Sequence, residues 1–283
     1  GPQQAVISAG ATTTTVTVQV TGDELVELDE TFAVNLSNAL LDGAAVIIAD
    51  AQGVGTIVND DIAALSINDV SQVEVDSGTT TYTFTVASDA TASKDIGFTI
   101  NTADLIDATA GSDYTAISAQ AGVITAGTTS TAITVVVSGD VIVETDETFA
   151  VDLSDAVFDG VAAPSRVGFA DSQGLGTIVN NDSATLSIDD VTMSEGDAGN
   201  TAFVFTINMD AEAGKDVTVT VNTATLVEAL GGSDYVEIVN QTATINAGDT
   251  STTVTVDVIG DVLGPLSKDE VHTLKGLLAR ALS

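Results

Sequence analysis

Thr81–Val86 reads TYTFTV and Thr148–Leu153 reads TFAVDL. In the first, Tyr82, Phe84 and Val86 share one face of an extended chain and the threonines take the other; in the second, Phe149, Val151 and Leu153 share a face. Alternation with period two marks a half-buried strand, because successive side chains leave a strand on opposite sides. These apolar residues are expected in a core, with no functional part implied. Working outward, similar segments predict strands near Ala64–Ile67, Ile96–Ile100, Ala121–Ile124, Ala132–Val137 and Gly174–Val179. Seven short strands at this spacing predict a β-sandwich. Thr, Val, Ile, Ala and Gly dominate and Trp is absent, so the fold class expected is all-β.

The same segments recur. LSIND at Leu65 returns as LSIDD at Leu186, GSDY at Gly111 returns at Gly232, AGTTSTAITVVVSGD at Ala126 returns as AGDTSTTVTVDVIGD at Ala247, and GTIVNDD at Gly55 returns as GTIVNND at Gly176, each at an offset of 121 residues. A whole repeat spans 62–182. Residues 1–61 carry the second half of one, and 183–263 the first two thirds of another. The segment after LSDAVFDG is four residues longer than that after LSNALLDG, as a loop insertion would make it.

GDELVELDETF from Gly22 and GDVIVETDETF from Gly139 hold the densest charge. The first carries Asp23, Glu24, Glu27, Asp29 and Glu30; the second carries Asp140, Glu144, Asp146 and Glu147. Two like charges about 5 Å apart repel by roughly 0.8 kcal/mol in water and about 3 kcal/mol at an effective dielectric near 20. Such strings loosen a loop unless a cation is present. Hard oxygen donors without His or Cys suit Ca²⁺, which accepts six to eight oxygens in irregular geometry, better than Zn²⁺ or copper. The competing reading is a solubilising coat on an exposed end.

Six basic against 41 acidic residues give a net charge of −35, which argues against nucleic acid or an anionic membrane as partner. Without cysteine there is neither a disulfide framework nor a thiol site. No run of 18 apolar residues predicts a spanning helix, the start has no signal-peptide pattern, and Gly1–Pro2 reads as a protease scar. Residues 264–283 depart from the repeat: Ser267 and Glu270 form a capping box ahead of a stripe at Val271, Leu274, Leu278 and Leu282, predicting a short amphipathic helix. That tail is either a docking peptide or, as the preferred reading, a non-native appendage.

Taken together, the TAD followed by GSDY (Thr102–Asp104, Gly111–Tyr114), the AGTTS turn, the GDxxxExDETF string and the terminal GTIVNDD resemble the Calx-beta domain, the calcium-binding module of sodium/calcium exchangers and bacterial surface proteins. The resemblance covers residues 3–263. It implies tandem immunoglobulin-like sandwiches with Ca²⁺ at one end. By position it implies, in the middle repeat, ligands at Asp140, Glu144 and Glu147 of the acidic string, at Asp104 and Glu74, and at Asp182 with Asn180 and Asn181. The two asparagines stand where the family has acids, which implies fewer or weaker ions. The first repeat keeps Asp23, Glu27, Glu30, Asp60 and Asp61 as an incomplete set. The third keeps Glu195 and Asp261 but has Thr225 in place of Asp104.

The expected function is therefore non-catalytic: a Ca²⁺-rigidified segment of an extracellular or cell-surface stalk or adhesin, its ions at the junctions between neighbouring repeats. A regulatory calcium sensor is one alternative. Another is a head-to-tail filament, in which incomplete repeats of different chains complete one another by strand addition. Glu144 and Glu147 have the chemistry of an acid/base pair, but calcium accounts for them, and His272 in the tail is the only histidine. Lys94 and Lys215, each followed by Asp, read as solvated edge lysines.

Overall fold

The computed structural model describes residues 3–261, and every regular element among them is a strand. The first repeat carries β1 (Glu30–Asn35), β2 (Leu40–Leu41), β3 (Ala44–Ala45) and β4 (Gln52–Ile57). The middle repeat carries β5 (Ala63–Ile67), β6 (Val70–Val73), β7 (Gly78–Ser88), β8 (Ile96–Ile106), β9 (Gln120–Ile124), β10 (Ser130–Gly139), β11 (Glu147–Phe158), β12 (Val161–Ala162), β13 (Val167–Phe169) and β14 (Gln173–Val179). The third carries β15 (Leu186–Ile188), β16 (Gly199–Met209), β17 (Val217–Val221), β18 (Gln241–Ile245) and β19 (Ser251–Gly260). The expected tail helix and the Gly1–Pro2 scar lie outside the described residues. No described helix is long and apolar enough to cross a membrane.

The chain divides into two compact units. Among the described residues, one comprises 3–73, 79–138 and 147–179, the other 74–78, 139–146 and 180–261.

The first unit contains a β-sandwich. One sheet runs in the order β10-β7-β5-β13 and the other β6-β14-β11-β8-β9, with β12 beside β11. All seven predicted strands are present. β6 and β13 are additions, lying parallel to β14 and β5 respectively. The core between the sheets is built by the two alternating segments: Tyr82, Phe84, Val86, Phe149 and Val151 are fully buried and Leu153 is 5% exposed. Phe149 is its centre. Its ring stacks on Tyr114 at 4.5 Å and lies 6.0 Å from Tyr82 and 6.1 Å from Phe84.

Opposite Phe149 on β14 stands Gly176, where a Cβ would come within 2.3 Å of the phenylalanine ring. The pair Phe32 and Gly55 on β1 and β4 repeats this arrangement, with a Cβ–ring distance of 2.4 Å. A ring lying over a bare backbone fixes register, since a slip by one residue would set a side chain under it. β11 ends in a hairpin turn at Asp159 (φ 52°) and Gly160 (φ 76°), left-handed at both positions as a two-residue hairpin requires. The four-residue insertion follows this turn. It places Arg166 next to β13.

Within the same unit, β1 pairs with β4 and β2 with β3. Thr12–Val20 does not form a strand and is exposed, although its copies in the other repeats are β10 and β19. The reason is a missing neighbour. β10 is bonded to β7 and β19 to β16, and the first repeat has no counterpart of either partner among the described residues.

The second unit holds two small sheets, β15-β16-β19 and β17-β18. Ile207, Met209, Ile245, Val254 and Val256 are buried in its core. Phe203, Phe205 and Tyr235, the counterparts of the fully buried Tyr82 and Phe84 and of the 1%-exposed Tyr114, are only half-buried.

Candidate metal centre

Each acidic string folds by the same local rules. Asp140 Oδ1 accepts the N–H of Ile142 at 2.8 Å, and Asp23 Oδ1 accepts that of Leu25 at 3.0 Å, a turn that a short acid makes with its own backbone. The asparagine ending each repeat then braces the loop. Asn180 Oδ1 accepts from the N–H of Glu144 at 3.4 Å, Asn180 Nδ2 donates to the carbonyl of Asp182 at 3.0 Å, and the Asn180 N–H donates to Asp146 Oδ1 at 3.2 Å. Asn59 makes the same three bonds, to Glu27, Asp61 and Asp29, at 2.9, 2.8 and 3.3 Å. Each brace uses both ends of the amide, which donates as well as accepts, whereas a carboxylate only accepts.

In the second unit, Glu74 is the focus of the charge. It is 7% exposed, and its carboxyl is pushed up to about 7 by burial first and then by Asp140, Asp182 and Glu144, opposed by a hydrogen bond from the backbone of Asn181. Burial and the charges of Asp76 and Asp140 raise Asp182 as well. Asp182 Oδ2 is buried without a hydrogen-bond partner. Asn181 donates to Asp76 Oδ1 at 2.9 Å. Structure thus brings Glu74, Asp140, Glu144 and Asp182 into mutual electrostatic reach, with Asn180 and Asn181 bonded among them, and adds Asp76 to the set.

Asp104 and Glu147 belong to the first unit. Asp104 Oδ1 accepts the Tyr114 hydroxyl at 2.6 Å and the Ala110 N–H at 2.9 Å, which orders the GSDY turn; burial and Asp104 together push the Tyr114 phenol up to about 12. In the third repeat Thr225 reaches the Tyr235 hydroxyl only at 3.5 Å. Glu147 is buried at the start of β11.

Also in the first unit, Glu27 is raised by burial, then by Glu30, Asp23 and Asp61, and Asp61 is raised by burial, then by Asp60, Asp23 and Glu24. Here a protein cation takes part. Arg166 donates from Nε to the carbonyl of Glu27 at 2.8 Å and from Nη2 to Asp29 Oδ1 at 2.7 Å. Sequence reasoning passed over Arg166; the four-residue insertion that carries it was the available signal. Because the pair is partly exposed, Arg166→Ala is expected to cost about 0.5–1 kcal/mol in chemical denaturation, a difference that shrinks in high salt.

Between the acids, each string carries a valine that docks on the repeat that follows. Val26 donates its N–H to the Thr91 carbonyl at 3.0 Å, its carbonyl accepts from Ser93 at 2.9 Å, it bridges in parallel with Ala92, and it is fully buried. Val143, half-buried, makes the same bonds in the second unit, to Glu212 and Gly214 at 2.9 and 3.0 Å, and bridges with Ala213.

The donor set is all oxygen, crowded and short of positive charge, and the orphaned Asp182 oxygen awaits a partner; in chemistry these groups fit Ca²⁺. Among the described residues, no three acids or histidines are already placed as ligands of one ion. The fold and these loops define a tandem β-sandwich protein with carboxylates clustered in its loops.

A model of the Calx-beta domain matches residues 3–70, 59–167 and 180–269, and the chain belongs to that family, with three such domains in tandem. Calx-beta domains form a family of calcium-binding modules and are typically non-catalytic. Among solved structures, the chain is similar to the apo form of the Calx CBD1 domain (17% identity over 43% of this chain and 100% of that one, TM-score 0.35). It is also similar to CBD12 from CALX1.2 (15% identity, 72% and 76%, TM-score 0.35) and to the Calx CBD2 domain (15% identity, 42% and 86%, TM-score 0.36). A comparison with curated proteins finds no match.

Proposed function

We propose that this chain is a non-catalytic, immunoglobulin-like segment of an extracellular or cell-surface stalk or adhesin, stiffened by Ca²⁺ where one repeat meets the next. The observation that carries this reading is the twice-repeated docking of Val26 and Val143 on the following repeat. Each valine stands directly before a glutamate of the inferred ligand set, Glu27 or Glu144. An ion held by that glutamate and its neighbours is therefore tied to the edge of the next repeat through one residue of backbone.

In the second unit the ligands would come from Glu74, Asp140, Glu144 and Asp182, with Asn180 and Asn181 bracing or completing them, while Asp104 and Glu147 of the first unit enter the set through the family resemblance alone. In the first they would come from Asp23, Glu27, Glu30, Asp60 and Asp61. When bound, calcium supplies positive charge that relieves repulsion among these carboxylates, and its binding free energy appears as stability of the loops. The chain's own residues do the rest: asparagine amides hold the loops in shape and the valines anchor them. The boundaries 62–182 and 183–263 are the repeat limits this reading uses.

A thermal melt in excess chelator, in millimolar Ca²⁺ and in millimolar Mg²⁺ tests the reading. A rise in midpoint specific to Ca²⁺ is expected. Equal midpoints in chelator and Ca²⁺ would overturn it and leave the acids as a solubilising coat.

A further inference from the structure

We infer that Gly139 is a positioning residue of the candidate metal centre: its missing side chain lets the segment carrying Glu74 lie against the second acidic string. The inference rests on the calcium reading above. Glu74 and Asp140 reach the centre from separate elements, Glu74 from the loop ahead of β7 and Asp140 from the end of β10. In sequence the two acids flank the point of contact, Val75 following Glu74 and Gly139 preceding Asp140. A Cβ built on Gly139 would overlap the Val75 carbonyl oxygen and stand 2.6 Å from its carbonyl carbon and 2.7 Å from Val75 Cγ2. Two of those three atoms are backbone, so a change of rotamer does not relieve the overlap. Gly139 is not among the residues with positive φ, so alanine suits the local backbone and the demand for glycine is one of space alone.

The third repeat makes the same approach with different residues. A Cβ on Gly260, at the matching position, would stand 2.8 Å from the Gly196 carbonyl oxygen and 3.2 Å from that of Glu195. Gly196 takes the place of Val75, and Glu195 and Asp261 are the matching acids. In both repeats the loop that starts at the glutamate ends on a left-handed glycine, Gly78 (φ 83°) or Gly199 (φ 77°), and Gly199 pairs directly with Gly260. EVDSG and EGDAG share only the glutamate, the aspartate and the final glycine, yet each folds back over a bare strand end.

Carbon atoms in contact sit about 3.5–4.0 Å apart, so an alanine at 139 would part the two segments by about 1 Å. Ca²⁺ holds its oxygens at about 2.3–2.6 Å, and a displacement of that size takes one of the two carboxylates out of reach. Removing the support that orients a metal ligand weakens the metal by about 10- to 100-fold.

Hydrogen exchange of the full chain, followed segment by segment along a calcium series that begins in chelator, tests the inference. In Gly139→Ala the calcium concentration that half-protects residues 139–146 is expected to rise by about 10- to 100-fold. The response of residues 22–30, and the protection of β11 in chelator, should match the parent protein. An unmoved midpoint in a protein whose parent does respond to calcium overturns the inference and leaves the calcium reading standing. A parent whose loops ignore calcium overturns both. Loss of β11 protection in chelator also overturns it, assigning Gly139 to the sandwich and not to the centre. Glu74→Gln supplies a second readout through a double-mutant cycle. If Gly139 acts by placing Glu74, the two substitutions together weaken calcium hardly more than Glu74→Gln alone. Losses that multiply would overturn the link between them.

Discussion

Phe149→Ala is expected to cost about 3–5 kcal/mol, the range for removing a fully buried phenylalanine. The loss exceeds simple transfer of one ring from core to water, because the ring is the meeting point of three others. Tyr114 stacks on it at 4.5 Å, and Tyr82 and Phe84 approach it from β7. Tyr82 donates its hydroxyl to the Gln72 and Thr177 carbonyls, at 2.7 and 3.2 Å, and Tyr114 donates to Asp104. Neither can collapse into the cavity without breaking those bonds. Denaturant titration read by tyrosine fluorescence measures the cost. Phe32→Ala is the comparison: its ring is half-buried and meets no such cluster among the described residues, so it should cost far less in dilute protein. Equal costs for the two would show that the aromatic centre does not carry the stability assigned to it.

The second large effect is the pH dependence of the calcium-free protein. Glu74 titrates near 7 in the folded state against an ordinary carboxylate value of 4.5, so the folded chain holds this proton more tightly than the unfolded chain does. The stability that follows is fully present below about 4.5 and is lost as pH rises through about 7. In chelator the melting midpoint should therefore fall by several degrees between mildly acidic and mildly basic pH. Calcium acts in the opposite sense, since it binds the ionised carboxylates. Its stabilising shift should be larger on the basic side. Glu74→Gln should flatten the chelator profile, raise the basic-side midpoint in chelator and shrink the calcium shift. A Glu74→Gln protein with an unchanged pH profile would show that another group carries the effect.

How much could be foreseen varied with the kind of interaction. Alternation in TYTFTV and TFAVDL reveals β7 and β11 and all six of their inward residues, because a half-buried strand writes its burial into every second position. β6 and β13 leave no such trace. They pair in parallel with strands more than a hundred residues away in sequence, and β6 alternates only between half-buried and exposed. The extension of β8 to Ile106 follows a polar NTAD segment that is extended only because β11 lies beside it. Thr12–Val20 shows the converse: a segment with strand-like alternation stays irregular when its partner is missing.

At the site, the acids were legible because like charges packed so densely ask for a cation. The asparagine braces were not, since an amide within an acid run reads as a weakened ligand until its hydrogen bonds are seen. Arg166 was invisible for a related reason. Its partner, Asp29, is 137 residues away, and only the fold brings them together.

The anchoring valines bear on how such a chain can change its length. Each contact is written wholly within the repeating sequence: a valine in the acidic string on one side, and on the other the Thr91–Ser93 edge of one repeat or the Glu212–Gly214 edge of the next. A duplication in frame with the 121-residue period would bring both halves of the contact with it, and no new interface would have to be invented. The number of repeats is then open to adjustment by recombination alone.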